Sequence, residues 1–193
     1  MDSFIIQLWA KIFGFLKVLS PYELARKILP VSLTNTWGFS DSWVLGNTFV
    51  AVIALAFLPM DSNNYFSILI LIWGALRVLE IVGYLFHVIF MAIENAKKED
   101  IRLLSYRRSL ILALHNYGEI ILWFAVAYGV TASSFYDTND VLLDRLGSLY
   151  YSVVTITTLG YGEVTPSAPL TWFLVVAQTL IGLYMVLVVL GQF

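Results

Sequence analysis

The chain has 193 residues, of which 60% are hydrophobic and 12% charged, and its net charge is −2. A mean hydropathy of +0.82 and eleven Tyr with six Trp point to a membrane protein, whose amphipathic rings sit at the headgroup level. The weakly negative balance argues against a nucleic-acid partner, and the absence of cysteine excludes disulfides and thiolate metal sites.

Residues 4–19 are rich in Phe, Ile, Leu and Trp, with Ser3, Gln7, Lys11 and Gly14 along one helical stripe. That pattern predicts an amphipathic helix lying in the membrane interface. A cleaved signal peptide fits poorly, because no basic residue precedes the apolar run and Lys11 and Lys17 interrupt it. Ser20-Pro21-Tyr22-Glu23 has the form of a capping box with proline at the first helical position, and it opens a short helix that Pro30 closes. Arg26 and Lys27 near the end of that helix suit its dipole. Residues 31–39 read as a polar loop.

The first spanning candidate, residues 42–58, is marginal at about 17 residues before Pro59. After the turn Asp61-Ser62-Asn63-Asn64, a second apolar run covers 65–92. A charged segment, 94–108, separates it from a third run, 109–132, and a polar loop, 133–144, follows. Residues 145–157 are short, apolar and aromatic. They predict a helix too short to span a bilayer but suited to a re-entrant element whose carbonyl end directs partial negative charge toward an axis. Pro166 and Pro169 bracket a turn, and a fourth run continues to Phe193.

Between the short helix and the fourth run stands Thr157-Thr158-Leu159-Gly160-Tyr161-Gly162-Glu163. An extended chain alternates its carbonyls from side to side, so aiming successive ones at a single axis requires residues that accept positive φ. Gly160 and Gly162 supply that at alternate positions. A potassium ion leaves water cheaply only where a cage of oxygens replaces its hydration shell, and four such loops meeting on an axis make the cage. On this reading the carbonyls of Thr158, Leu159, Gly160 and Tyr161 face K+, the Thr158 hydroxyl adds an oxygen at the inner end, and the Leu159 and Tyr161 side chains brace the loop from behind.

With these flanks, the segment from 109 to 193 resembles the pore module of the tetrameric potassium channel family. The resemblance implies an all-α membrane protein: four transmembrane helices, a re-entrant pore helix and a filter loop (Thr158, Leu159, Gly160, Tyr161, Gly162) assembled as a homotetramer around a central pore. Family members carry Val, Ile or Leu at the position of Leu159. Relatives with Asp at the position of Tyr161 resemble non-selective cation channels. The resemblance places Tyr150 and Tyr151 as an aromatic pair against the filter tyrosine, with Thr157 and Glu163 as further filter support. It also places Gly182 at the interval of an inner-helix hinge. Val154 departs from bacterial members that carry Glu there, so a partner for Glu163 is missing at that position.

Four units follow: cytoplasmic and interfacial helices (1–41), two accessory spans (42–93), a basic cytoplasmic linker (94–108) and the pore module (109–193). Lys11, Lys17, Arg26 and Lys27 precede the first span, and Lys97, Lys98, Arg102, Arg107 and Arg108 lie between the second and third. The positive-inside rule puts both clusters, and both termini, in the cytoplasm of a multi-pass protein of the cell membrane. Asp137, Asp140, Asp144 and Glu163 then fall outside, where acidic groups concentrate cations at a mouth; a merely solvated acidic loop is the other reading for the first three.

Arg77, Glu80, His115 and Glu119 sit inside spans and need partners. Arg77 and Glu80 are three apart and His115 and Glu119 four apart, so each pair can share a helix face. Glu80 and Glu119 fall at similar depth, which lets Arg77 bridge the two helices as a structural clasp. A gating or proton-sensing site of Glu80, Glu119, His87 and His115 is the sharper alternative. Voltage sensing of the usual kind is not expected, since the accessory spans hold the single Arg77. Gating candidates are Gly182, with close helix packing as its other reading, and Leu187 to Leu190, near a constriction that could gate by dewetting.

The function that follows is passive, potassium-selective conduction by a homotetramer in lipid. K+ is cargo, and no enzyme activity, catalytic cofactor or nucleic acid is expected. A non-conducting regulatory subunit with the same pore fold is the alternative. A transporter finds little support, because paired discontinuous helices are missing.

Overall fold

The computed structural model describes residues 20–34, 37–95, 103–137 and 143–190, together with Phe4, Leu8 and Lys11, which are helical. The rest of the expected interfacial helix, with Lys97, Lys98, Arg102 and Asp140, lies outside the described residues. Among the described residues, four helices are long and apolar enough to cross a membrane: Gly38–Phe57, Tyr65–Phe86, Leu110–Val130 and Pro169–Leu187.

Helix α1 (Pro21–Ile28) starts at Ser20, whose hydroxyl accepts the Glu23 amide, with Pro21 in the first turn and Arg26 and Lys27 in the last. A single turn, α2 (Val31–Thr34), follows, and α3 runs over Trp37–Phe57. The expected loop at 31–39 is therefore helical at both ends. The reason is aromatic packing: Phe39 lies 5.6 Å from Tyr22 and 6.2 Å from Trp43 between ring centroids, and Tyr22 and Ser40 share a hydrogen bond. These contacts draw the start of α3 back against α1. The span that looked marginal becomes 21 residues long.

At the turn after Pro59, Asp61 Oδ1 accepts the Asn63 amide. Asn64 then caps α4 (Tyr65–Asn95), its Oδ1 accepting Phe66 N at 2.9 Å, as a short polar side chain at a helix start does. Ser67 Oγ donates back to the Pro59 carbonyl at 2.8 Å, tying α4 to the end of α3. Helix α5 (Leu103–Val130) begins inside the charged segment expected as a linker. Hydropathy sees only apolar runs, whereas Arg and Leu are good helix formers, and Arg108 of α5 pairs with Asp41 of α3.

Helix α5 is the hub of the fold. Its spanning window is 44% buried against 17 to 28% for the other three, and it packs on α3, α4, α6 and α7. Ile120, Trp123, Val126 and Tyr128 form its buried face. At Gly74 of α4, a Cβ would stand 2.5 Å from the Trp123 ring, so glycine there is what lets α4 lie against that ring.

Beyond α5 come a 3-10 turn (Ala132–Ser134), β1 (Phe135–Asp137), α6 (Arg145–Ile156), β2 (Val164–Pro166) and α7 (Pro169–Leu190). Part of the expected polar loop is thus a strand. It pairs antiparallel with β2 in the register Phe135 to Pro166, Tyr136 to Thr165 and Asp137 to Val164. Thr171 Oγ1 reaches the Ser134 carbonyl at 3.1 Å and accepts the Ala168 amide at 3.2 Å, fixing the start of α7 to the same ribbon.

Candidate functional site

Helix α6 is 12 residues long and is held at both ends. At its start Asp144 Oδ1 accepts Gly147 N at 2.6 Å, a carboxylate at the positive end of the helix. The next residue, Arg145, turns away and donates to the carbonyls of Leu55 and Leu58 at 2.8 and 3.0 Å. Leu55 lies in the last turn of α3 and Leu58 just past its end, where carbonyls have no partner further along the helix. At the other end the Thr157 hydroxyl donates to Val153 O at 2.7 Å. Thr158 N and Leu159 N still bond to Thr155 O and Val154 O, both at 3.0 Å, as the helix unwinds.

The loop after α6 has positive φ at every second residue: Thr158 at 59°, Gly160 at 54° and Gly162 at 81°. Two of these are the glycines the spacing singled out. The third is a β-branched residue, for which the left-handed region costs about 1–2 kcal/mol, and such strain gathers at functional sites. Inverting φ at alternate residues undoes the alternation of an extended strand, which is what a row of like-directed carbonyls requires.

Within the single chain this loop is exposed. Leu159 is 58% and Tyr161 64% accessible, and a Cβ at Gly160 or Gly162 would meet nothing within 4 Å. A crevice of about 310 Å³, lined in part by Tyr151, Tyr161 and Val175, separates the loop from α6 and α7. The Leu159 and Tyr161 side chains, expected to brace the loop from behind, are therefore largely exposed within their own chain.

The support that the chain does supply lies deeper. Tyr128 of α5 donates to Gln178 Oε1 of α7 at 2.6 Å. Gln178 Nε2 donates to the carbonyl and the hydroxyl of Ser152 at 3.1 and 2.7 Å, and Ser152 Oγ donates to the Ile121 carbonyl at 2.7 Å. Three helices are thus stitched by one fully buried polar relay. Tyr151 packs edge-on against Tyr128 at 4.9 Å and Phe135 at 5.3 Å. Sequence reasoning passed over Tyr128, Ser152 and Gln178 because it searched the spans for ionisable groups alone. A lone amide at Gln178 within an apolar run was the available signal, since a buried amide demands partners.

Tyr150 faces outward and donates to Glu163 Oε2 at 3.4 Å. Loss of water, and then the Glu163 carboxylate, push its phenol above the ordinary value; burial does the same for Tyr151. Val154 is buried. At Gly182 a Cβ would stand 2.6 Å from the Ile156 carbonyl, so α7 crosses the end of α6 at backbone contact. Leu187 is exposed, and the Leu190 side chain lies outside the described residues.

The intramembrane polar residues separate into two groups. Arg77 grips Glu119 with two parallel bonds, Nε to Oε1 at 2.7 Å and Nη2 to Oε2 at 3.0 Å. Its Nη1 lies 3.4 Å from Glu80 Oε1, and Trp123 Nε1 adds a bond to Glu119 at 3.3 Å. This is the clasp geometry, joining α4 to α5. His115 stands apart, sharing a 2.8 Å bond with Thr48 of α3; the His87 side chain lies outside the described residues.

Residues 119–193, from the middle of α5 to the end of the chain, match the family model described as an ion channel. Comparison with curated proteins and with solved structures returned no match.

Proposed function

We propose, on the premise that the C-terminal part of this chain, residues 119–193, belongs to the ion-channel family, that the protein is a potassium-selective channel. Four copies surround one axis, α6 enters the membrane as a re-entrant pore helix, and Thr158, Leu159, Gly160 and Tyr161 turn their carbonyls to K+. The observation that carries this reading is the positive φ at residues 158, 160 and 162, in a loop that follows a short helix and precedes a spanning one. Exposure of the whole loop in one chain supports assembly, because a filter built from rings of carbonyls closes only among copies. Conduction is passive, with K+ as cargo. The Lys and Arg distribution supports cytoplasmic termini in the cell membrane, which sets Glu163 at the outer mouth.

Reversal potential in planar bilayers under opposed potassium and sodium gradients tests the proposal. The expected value lies near the potassium equilibrium potential. Sodium current of similar size overturns selectivity, and a silent tetramer favours the regulatory-subunit reading.

A further inference from the structure

The loop at 158–162 hangs from the last turns of α6, and a side chain of α7 fixes where those turns lie. Tyr128, Ser152 and Gln178 are each 0% exposed, and all three are hydrogen-bonded. The Ser152 carbonyl can only accept, so Gln178 Nε2 must face it, at 3.1 Å from that carbonyl and 2.7 Å from the Ser152 hydroxyl. Gln178 Oε1 is then turned toward α5, where the Tyr128 hydroxyl donates to it at 2.6 Å. The Ser152 proton passes on to the Ile121 carbonyl at 2.7 Å. A flipped amide would set acceptor against acceptor, so the relay has one direction and holds α6 between α5 and α7.

One turn further along α7, Gly182 meets the Ile156 carbonyl so closely that a Cβ would stand 2.6 Å from it. Residues four apart on α7 thus face residues four apart on α6, two points on one face of each helix. The second point is the last residue of α6. The loop takes its position from the same turns, because Thr158 N and Leu159 N bond to Thr155 O and Val154 O at 3.0 Å. Carbonyls replace a hydration shell only when they surround the ion, and a site of this kind needs supports that hold it within about 0.5 Å. We infer that Gln178 is a positioning residue for the filter: acting through Ser152, it sets where the end of α6 delivers Thr158, and thereby the discrimination of K+ from Na+. The inference rests on the filter reading of residues 158–161 and assigns its control to a side chain that lies on another helix.

The test measures the K+/Na+ permeability ratio of the full chain in planar bilayers, from reversal potentials with K+ on one side and Na+ on the other, and the melting temperature of the same preparations. Gln178→Met keeps the length and helix propensity of the side chain and removes its bonds. Its permeability ratio should fall about threefold or more, the factor that one intramembrane hydrogen bond represents. Tyr128→Phe leaves both bonds to Ser152 in place and should produce a smaller fall. Thr48→Val removes the bond between α3 and His115 of α5, away from α6, and should leave the ratio unchanged even where it lowers the melting temperature. A ratio that Gln178→Met leaves as it was, whatever its melting temperature, overturns the inference and makes the relay a matter of stability alone. Should Gln178→Met fail to assemble, Tyr128→Phe decides, and an unchanged ratio there overturns the inference equally. A wild-type chain that passes both ions alike overturns the filter reading itself, a failure visible before any variant is compared.

Discussion

Gly160 and Gly182 are both glycine for reasons that a substitution to alanine would expose, yet the reasons differ. At Gly160 there is open space around the missing side chain, and the constraint is the backbone at φ 54°. Gly160→Ala should therefore leave the fold and assembly intact while straining the loop by about 1–2 kcal/mol. Reversal potentials should shift toward sodium, and retained selectivity would remove the glycine from the proposed filter role. At Gly182 the obstacle is steric, since the added methyl would lie 2.6 Å from the Ile156 carbonyl. Overpacking of this sort costs about 1–3 kcal/mol, and thermal unfolding of Gly182→Ala should begin correspondingly lower. An unchanged melting temperature with altered opening would instead favour a hinge. Thr158 adds a lesson at the same scale: glycine spacing pointed to two left-handed positions, and a threonine occupies the third.

Between elements, polar side chains do the joining. The bidentate Arg77–Glu119 pair links α4 to α5 with both residues almost wholly buried. Removing one partner strands the other, so Arg77→Leu should destabilise the fold by about 3–5 kcal/mol. Adding Glu119→Leu should recover part of that loss, and chemical unfolding of the single and double variants measures the difference. A double variant no more stable than the single would refute the clasp. The Tyr128–Gln178–Ser152 relay joins α5, α6 and α7 in the same manner, and Arg145 joins α6 to the end of α3. Phe86 of α4 stacks on Tyr184 of α7 with centroids 4.3 Å apart. Helices α3 and α4 therefore touch the C-terminal segment at α6 as well as at α7.

For the molecule as a whole, the field at the proposed outer mouth is the property that can be measured. Glu163 is exposed beside the loop, and in a tetramer four copies would gather their charge around one entrance. Glu163→Gln should lower single-channel conductance at low ionic strength and have little effect at high salt, because a charge at a mouth concentrates cations only while it is unscreened. A loss of conductance that is equal at every salt concentration would assign Glu163 to loop support through Tyr150 instead.

The four apolar runs, the short helix and the glycine pair of the loop were legible in the residues, because lipid demands long uninterrupted apolar helices and positive φ favours glycine. The pairing of Arg77 with Glu119 was legible too, since a buried charge needs an opposite one and few were available. Tertiary structure decided the rest. It drew Trp37–Asp41 into α3 through the Tyr22, Phe39 and Trp43 rings, paired Phe135–Asp137 with Val164–Pro166, and set Gln178 against Ser152 and Tyr128. Such contacts join residues distant along the chain, and their energy depends on which helices become neighbours. No pattern within one helix carries that information.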